Sequence, residues 1–82
     1  MSAEQRTQVR QSFSNVNVHR VQNVNFAISV GTTVPRSVTF YDLPPEIIRI
    51  VPAYRRFKYV AVGDEIVIID PERYVIVEVI RI

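Results

Sequence analysis

Five carboxylates near the C-terminal end are the residues of this 82-residue chain whose spacing could do chemistry. They lie within a stretch rich in Val and Ile: Asp64, Glu65, Asp70, Glu72 and Glu78. Carboxylates that converge on one point could bind a metal ion or act as a general acid and base. Alternatively, they mark the turns of a β-hairpin whose strands are unusually apolar.

If the strand between these carboxylates is extended, its length keeps most of them too far apart to act together. If Glu65–Asp70 is extended, Asp64 and Asp70 lie about 20 Å apart, at opposite strand ends. They cannot share a metal ion, because ligand oxygens lie within about 2.0–2.6 Å of it. Asp70 and Glu72 share one turn, where exposed carboxylates are usually solvated. The pattern therefore favours structural turns at both places.

One pair of glutamates stays open as a possible interaction site or ionisable pair. If Pro71 and Glu72 form a two-residue loop, Glu65 lies opposite Glu78 in the hairpin. Like charges directly across a ladder are destabilising, so the pair could share a proton or bind a cation. A bulge or a longer loop would instead shift the register, or an arginine could bridge the two.

The sequence lacks the residues that other catalytic arrangements require. There is no cysteine, and His19 is the only histidine, without an acidic neighbour in the sequence. Two glycines cannot form a glycine-rich phosphate loop, and no G-x-S-x-G motif occurs. We therefore expect a protein that is not an enzyme, with no catalytic, cofactor-binding or metal-binding residues.

Nucleic-acid binding is not expected either. The net charge is only +2, and the basic residues are scattered along the chain. The segment from Tyr54 to Tyr59 mixes basic and aromatic residues. On a strand, however, Arg56 and Lys58 would face away from Phe57 and Tyr59, so the aromatic rings would pack in the core.

The elements that must position these residues are mostly β, in a single α+β domain over residues 1–82. Residues 1–14 predict a short N-terminal helix, because Ser2 and Gln5 form a capping-box pattern and Val9 and Phe13 share a face. A small antiparallel sheet then follows and ends in a three-stranded meander. The expected turn residues are Gly31, Pro35, Pro44, Pro45, Gly63, Asp64, Asp70 and Pro71.

The first part of the sheet is predicted as a β-hairpin over residues 16–41. Apolar and polar residues alternate from Val21 to Val30 and again from Arg36 to Tyr41. Residues 42–56 form a proline-containing connection. Within it, Glu46–Val51 fits a helical turn or a buried strand, and its β-branched residues favour the extended form.

The meander is predicted over residues 57–82. Its strands are Phe57–Val62, Glu65–Asp70 and Tyr74–Ile80, and the middle strand is apolar on both faces, as a central strand requires. The last strand also has apolar residues on both faces, more than a thin monomer can bury. This excess, and the chance that Val21–Val30 pairs edge to edge, favours a homo-oligomer.

The chain resembles a family of small alphaproteobacterial proteins, domain of unknown function twelve thirty-six. The segments that carry the resemblance are Ile28–Thr32, Val34–Pro35, Leu43–Ile47, Val51–Arg55, Val62–Asp70 and, before them, Ala3–Arg6. The resemblance implies a periplasmic or envelope location and brings no activity, cofactor or site residue. The polar start of the chain does not resemble a signal peptide, and no apolar run is long enough to span a membrane.

The function that these observations favour is a non-catalytic binding or structural module of the bacterial envelope. Its expected partner is a second copy or another envelope protein. The closing hairpin is also similar to the end of RcnB-type periplasmic proteins linked to nickel and cobalt homeostasis. That likeness gives an alternative, a sensor or carrier for a small ligand or metal ion.

Overall fold

The computed structural model describes residues 2–15, 18 and 20–82. The helices are α1 (Ala3–Ser14), α2 (Pro45–Ile50) and a short 3-10 helix (Pro52–Arg56). The strands are β1 (Arg20–Val21), β2 (Tyr41–Asp42), β3 (Lys58–Val62), β4 (Glu65–Asp70) and β5 (Val75–Arg81). The α+β fold predicted from the sequence, with a helix before the sheet, is confirmed.

The sheet is built on the predicted meander, in which β4 lies between β3 and β5 and is antiparallel to both. The two short strands both pair with β3: β2 is antiparallel to Lys58–Tyr59, and β1 is parallel to Ala61–Val62. The sheet is therefore mixed rather than wholly antiparallel.

Helix α1 begins where its sequence predicts. The Ser2 side chain accepts a hydrogen bond from the Gln5 amide, and the Gln5 side chain accepts one from the Ser2 amide. These bonds satisfy amide groups that have no partner inside the helix. Val9 and Phe13 are fully buried, so the helix docks on the sheet through the predicted apolar face.

The core has two parts, one on each face of the sheet. Ile66 and Ile68 face the helices together with Val9 and Phe13. Val67 and Ile69 face the opposite side, where the chain between β1 and β2 covers them. The burial of all four residues from Ile66 to Ile69 confirms that β4 is central and covered on both faces.

The hairpin predicted over residues 16–41 is wrong. Residues 16, 17 and 19 lie outside the described part, but residues 22–32 form no strand and the backbone bends at Asn25 and Phe26. Val24, Phe26 and Ile28 are half-buried against the core, and the residues between them are exposed. The alternation therefore identified which side chains face the core, but the segment does not pair as a β-ladder.

The extended conformation favoured for Glu46–Val51 is also wrong. Pro45 starts helix α2, and the Val51 amide donates to the Ile47 carbonyl at 2.9 Å. Proline suits the first helical position. Glu46 lies in the first turn and Arg49 in the last turn, where the helix dipole stabilises a negative and a positive charge respectively. Ile47 is fully buried, so packing against α1 outweighs the weak helix propensity of β-branched residues.

Candidate functional site

Glu65 and Glu78, whose register the sequence left open, do not face each other. Glu65 lies opposite Arg81, and Glu78 lies opposite Ile68. The register that a two-residue loop would give does not occur, because the loop has four residues and Asp70 pairs with Val75. A shift between Ile68 and Ile69 then moves the register by one further residue.

The turn between β4 and β5 shows why the loop is longer. The Asp70 carboxylate accepts a hydrogen bond from the Glu72 amide at 3.0 Å, and the Asp70 carbonyl accepts one from the Tyr74 amide at 2.8 Å. Tyr74 has a φ of 55°, which is rare for a bulky residue. Its ring lies 5.5 Å from that of Phe40 and 4.5 Å from the Arg36 guanidinium, and these contacts hold it there.

The bulge in β5 accounts for the apolar residues on both of its faces. Because the bulge adds one residue, Val77 packs on the helix side and the next residue, Glu78, contacts Arg6 of α1. Val79 then packs on the opposite side of the sheet. The apolar residues on both faces of this strand thus pack against the two parts of the core, where Ile76 and Ile80 are fully buried and Val77 and Val79 are half-buried.

Glu78 takes part in an ion pair that covers the outer edge of β5. Arg6 Nη2 lies 3.0 Å from Glu78 Oε1, and the Glu78 side chain is only 18% exposed. The Val79 amide donates to Glu78 Oε1 at 3.3 Å, and Arg6 Nη1 donates to the Val79 carbonyl at 3.5 Å. The pair therefore occupies backbone groups that an added strand would need.

Tyr54 lies beside this ion pair. Burial raises the pKa of its hydroxyl above the ordinary value, the Glu78 carboxylate raises it further, and the Arg6 guanidinium lowers it. Burial likewise raises the pKa of Tyr59, with a smaller contribution from Tyr41.

The remaining predicted positions lie mainly in turns and connections. Gly31 and Gly63 have φ of 93° and 58°, which explains glycine at both turns. Asp64 and Asp70 are placed at opposite ends of β4, as expected. Pro35, Pro44 and Pro71 lie between elements, and Pro45 begins α2. Within the described ranges no three acidic or histidine residues could hold a metal ion, and His19 lies outside them.

The aromatic residues near the 3-10 helix pack against the core rather than forming an exposed surface. Tyr59 is buried, and the rings of Tyr54 and Phe57 lie 5.4 Å apart in the helix-side core. They do not form an open stacking platform of the kind that single-stranded nucleic acids need.

An open groove of about 530 Å³ lies between the chain after β1 and the chain before β2. We call it the β1–β2 groove; it is lined by Val21, Asn23, Val24, Asn25, Phe26, Ser37, Val38, Thr39, Tyr41 and Val60. It separates the two segments that were predicted to pair as a hairpin. None of its lining residues carries a charge at neutral pH.

Polar groups on the walls of this groove are available to a partner. The side chains of Asn23, Asn25, Ser37 and Thr39 make no hydrogen bond to any residue that the structure describes. The backbone of residues 22–28 has no backbone hydrogen bond within the same ranges. An amide or a hydroxyl can both donate and accept, so these walls suit the polar groups of another polypeptide.

Sequence reasoning missed this groove, although a signal was present. Residues 21–35 contain no charged side chain, in a chain that is 22% charged. Such a stretch is unusual for an exposed surface segment, and the centres of protein interfaces are depleted in charge. The alternating pattern was assigned to a hairpin instead, which left no space between the two segments.

Comparison with known proteins gives the family and a structural neighbour. The family model called Domain of unknown function (DUF1236) matches residues 12–81. The C-terminal domain of the inner membrane protein CigR from Salmonella enterica has a similar fold, with a TM-score of 0.59 and 20% identity over 96% of this chain and 89% of that domain. No curated protein sequence matches. Because the family model spans most of the sequence, the chain belongs to the DUF1236 family.

Proposed function

We propose that this protein is a non-catalytic interaction module of the bacterial cell envelope, located in the periplasm, and that its β1–β2 groove binds a partner protein. The observation that carries the proposal is the charge-free lining of the groove, together with the side chains of Asn23, Asn25, Ser37 and Thr39, which have no hydrogen-bond partner among the described residues. A partner segment could bury apolar side chains on Val24 and Phe26 while its polar groups bond to the walls.

The lining residues favour binding over catalysis. Among the lining residues that the structure describes, Tyr41 is the only one with a titratable side chain, and none is a carboxylate, a histidine or a lysine. General acid–base chemistry needs a group whose pKa lies near the working pH. A groove of this composition can hold a partner, but it offers no group to activate a nucleophile.

The envelope location is supported by two likenesses. The neighbour with the similar fold is a domain of an inner membrane protein. The sequence resemblance also points to small periplasmic proteins. In the ranges that the structure describes, none of the helices combines the length and apolar character of a membrane span.

Site-specific cross-linking in the bacterium that encodes the protein tests this function. A photo-reactive residue at Asn25, on the groove wall, is compared with one at Glu72, which is exposed on the turn after β4. We expect a discrete cross-linked product from Asn25 only, with a second copy or another envelope protein. Equal products from both positions, or a cytoplasmic partner, would contradict the proposal.

A further inference from the structure

We propose that the partner in the β1–β2 groove is a second copy of this chain, which inserts the turn at Ser29–Thr32. We call this the Val30 turn. The inference rests on the proposed function and names its partner. Val30 is 64% exposed, more than any other large hydrophobic residue that the structure describes.

The Val30 turn is held in a fixed shape. The Thr32 amide donates to the Ser29 carbonyl at 3.1 Å, and the two side-chain hydroxyls lie 2.9 Å apart. Gly31, with its φ of 93°, allows the turn that places Val30 at the tip.

Two further bonds fix the turn to the sheet. The Gly31 amide donates to the Ile76 carbonyl at 2.8 Å, and the Ile76 amide donates to the Thr32 carbonyl at 2.9 Å. Because the turn is already ordered, little conformational entropy is lost when it enters a partner.

The turn and the groove are alike in carrying no charge. Residues 29–33 carry no charge, and neither does the groove lining. A charged partner segment would lose hydration in this groove without meeting an opposite charge. A neutral segment with a protruding apolar side chain avoids that cost, and the chain itself supplies one.

The exposed apolar residues divide between the two halves of this contact. Among the described residues only Val21 and Val30 are large hydrophobic side chains with substantial exposure, at 42% and 64%. Val21 lines the groove and Val30 lies outside it. A contact between copies would cover both of them.

The contact joins two different surfaces, so it is head-to-tail. In a dimer, each copy inserts its turn into the groove of the other; alternatively, each copy binds the next and a longer assembly forms. In either case each copy offers one turn and one groove. Disabling the turn in one copy and the groove in another therefore leaves one intact contact between them.

Sedimentation velocity over a series of concentrations tests the self-association. Val30→Glu is compared with Gln11→Glu, which places the same charge on the exposed side of α1. We expect the unchanged chain and Gln11→Glu to associate alike. We expect Val30→Glu to bind at least about tenfold more weakly, because the buried valine contact is lost.

Mixing two variants tests the head-to-tail arrangement. Thr39→Trp fills the groove, and Asn25→Trp is a second variant with the same aim; circular dichroism checks that each is folded. We expect Val30→Glu and Thr39→Trp to be monomeric alone and to form a one-to-one complex when mixed. No complex on mixing, or a Val30→Glu variant that associates as well as Gln11→Glu, would overturn the inference.

The unchanged chain distinguishes this inference from the proposed function. If it stays monomeric at every concentration while Asn25 cross-links to another envelope protein, the second copy is ruled out as the partner. The groove would still be an interaction site. If no product forms from Asn25 either, both proposals fail.

Discussion

The meander of β3–β5 and the segment at residues 22–40 pack against each other, but their backbones are bonded very differently. Every residue of β4 has a partner on β5, and Glu65 to Ile69 have partners on β3 as well. In the segment, the backbone hydrogen bonds seen among the described residues are those of the Val30 turn, its attachment to β5, the bond from the Val34 amide to the Tyr74 carbonyl and the turn at Pro35–Val38.

This difference separates a scaffold from a binding surface. The meander fills the core on both faces, and the ion pair of Arg6 and Glu78 covers part of its outer edge. The segment contributes the buried Val34 and several half-buried side chains to the core, and the polar side chains of Asn23, Asn25, Ser37 and Thr39 have no hydrogen-bond partner among the described residues. Regions with few backbone bonds open at low cost and commonly serve binding.

The largest expected effect comes from truncating matched isoleucines in the two regions. Ile69 on β4 and Ile28 in the segment pack in the same core cluster, but only Ile69 is fully buried. We expect Ile69→Ala to lower the free energy of unfolding by about 2–5 kcal/mol and Ile28→Ala by about 1 kcal/mol. Urea unfolding followed by circular dichroism measures both, and equal losses would contradict the division into scaffold and surface.

A smaller effect is expected from the ion pair that covers β5. A double-mutant cycle with Arg6→Ala and Glu78→Ala should give a coupling energy of about 1 kcal/mol, because Glu78 is mostly buried and bonded to Val79. The Lys58–Asp42 pair is the control, since Asp42 is 85% exposed. Its coupling should be about 0–0.5 kcal/mol. A larger coupling energy for Lys58–Asp42 than for Arg6–Glu78 would mean that burial does not determine the strength of these ion pairs.

The smallest expected effect is a pH dependence of the meander and its helices. Burial raises the pKa of Tyr54 and Tyr59 in the folded state. Above about pH 10 the folded state therefore binds more protons than the unfolded state, and stability falls as the pH rises. Urea unfolding at pH 9 to 11 (about one unit on either side of the ordinary pKa) should show less of this fall in the Tyr54→Phe, Tyr59→Phe double variant. An unchanged fall would rule out these tyrosines as its cause.

The parts of the fold that sequence reasoning predicted are those fixed by local chemistry. The capping box at Ser2 and Gln5 set the start of α1, and the two-sided apolar run Ile66–Ile69 predicted a central strand. Both signals come from the residues that form the element. Helix α2 was assigned wrongly because its choice between helix and strand depends on how Ile47 packs against α1.

The candidate site was less predictable, because its geometry depends on distant contacts. The register of Glu65 and Glu78 follows from the four-residue loop, in which contacts with Phe40 and Arg36 hold Tyr74, and from the shift between Ile68 and Ile69. The groove arises because β1 and β2 pair with separate parts of β3 instead of with each other. Alternation between Val21 and Val30 predicts a buried face, but it does not show where the backbone will find partners.

Amide hydrogen exchange at low and high protein concentration tests most directly whether the segment is a binding surface on a rigid scaffold. We expect slow exchange throughout β4 at both concentrations, because those amides open only with the whole fold. The amides of Asn23–Phe26 should exchange fast in the dilute protein and slow at high concentration, and Val30→Glu should abolish that slowing. Slow exchange of Asn23–Phe26 in the dilute monomer, or exchange that does not change with concentration, would contradict the account.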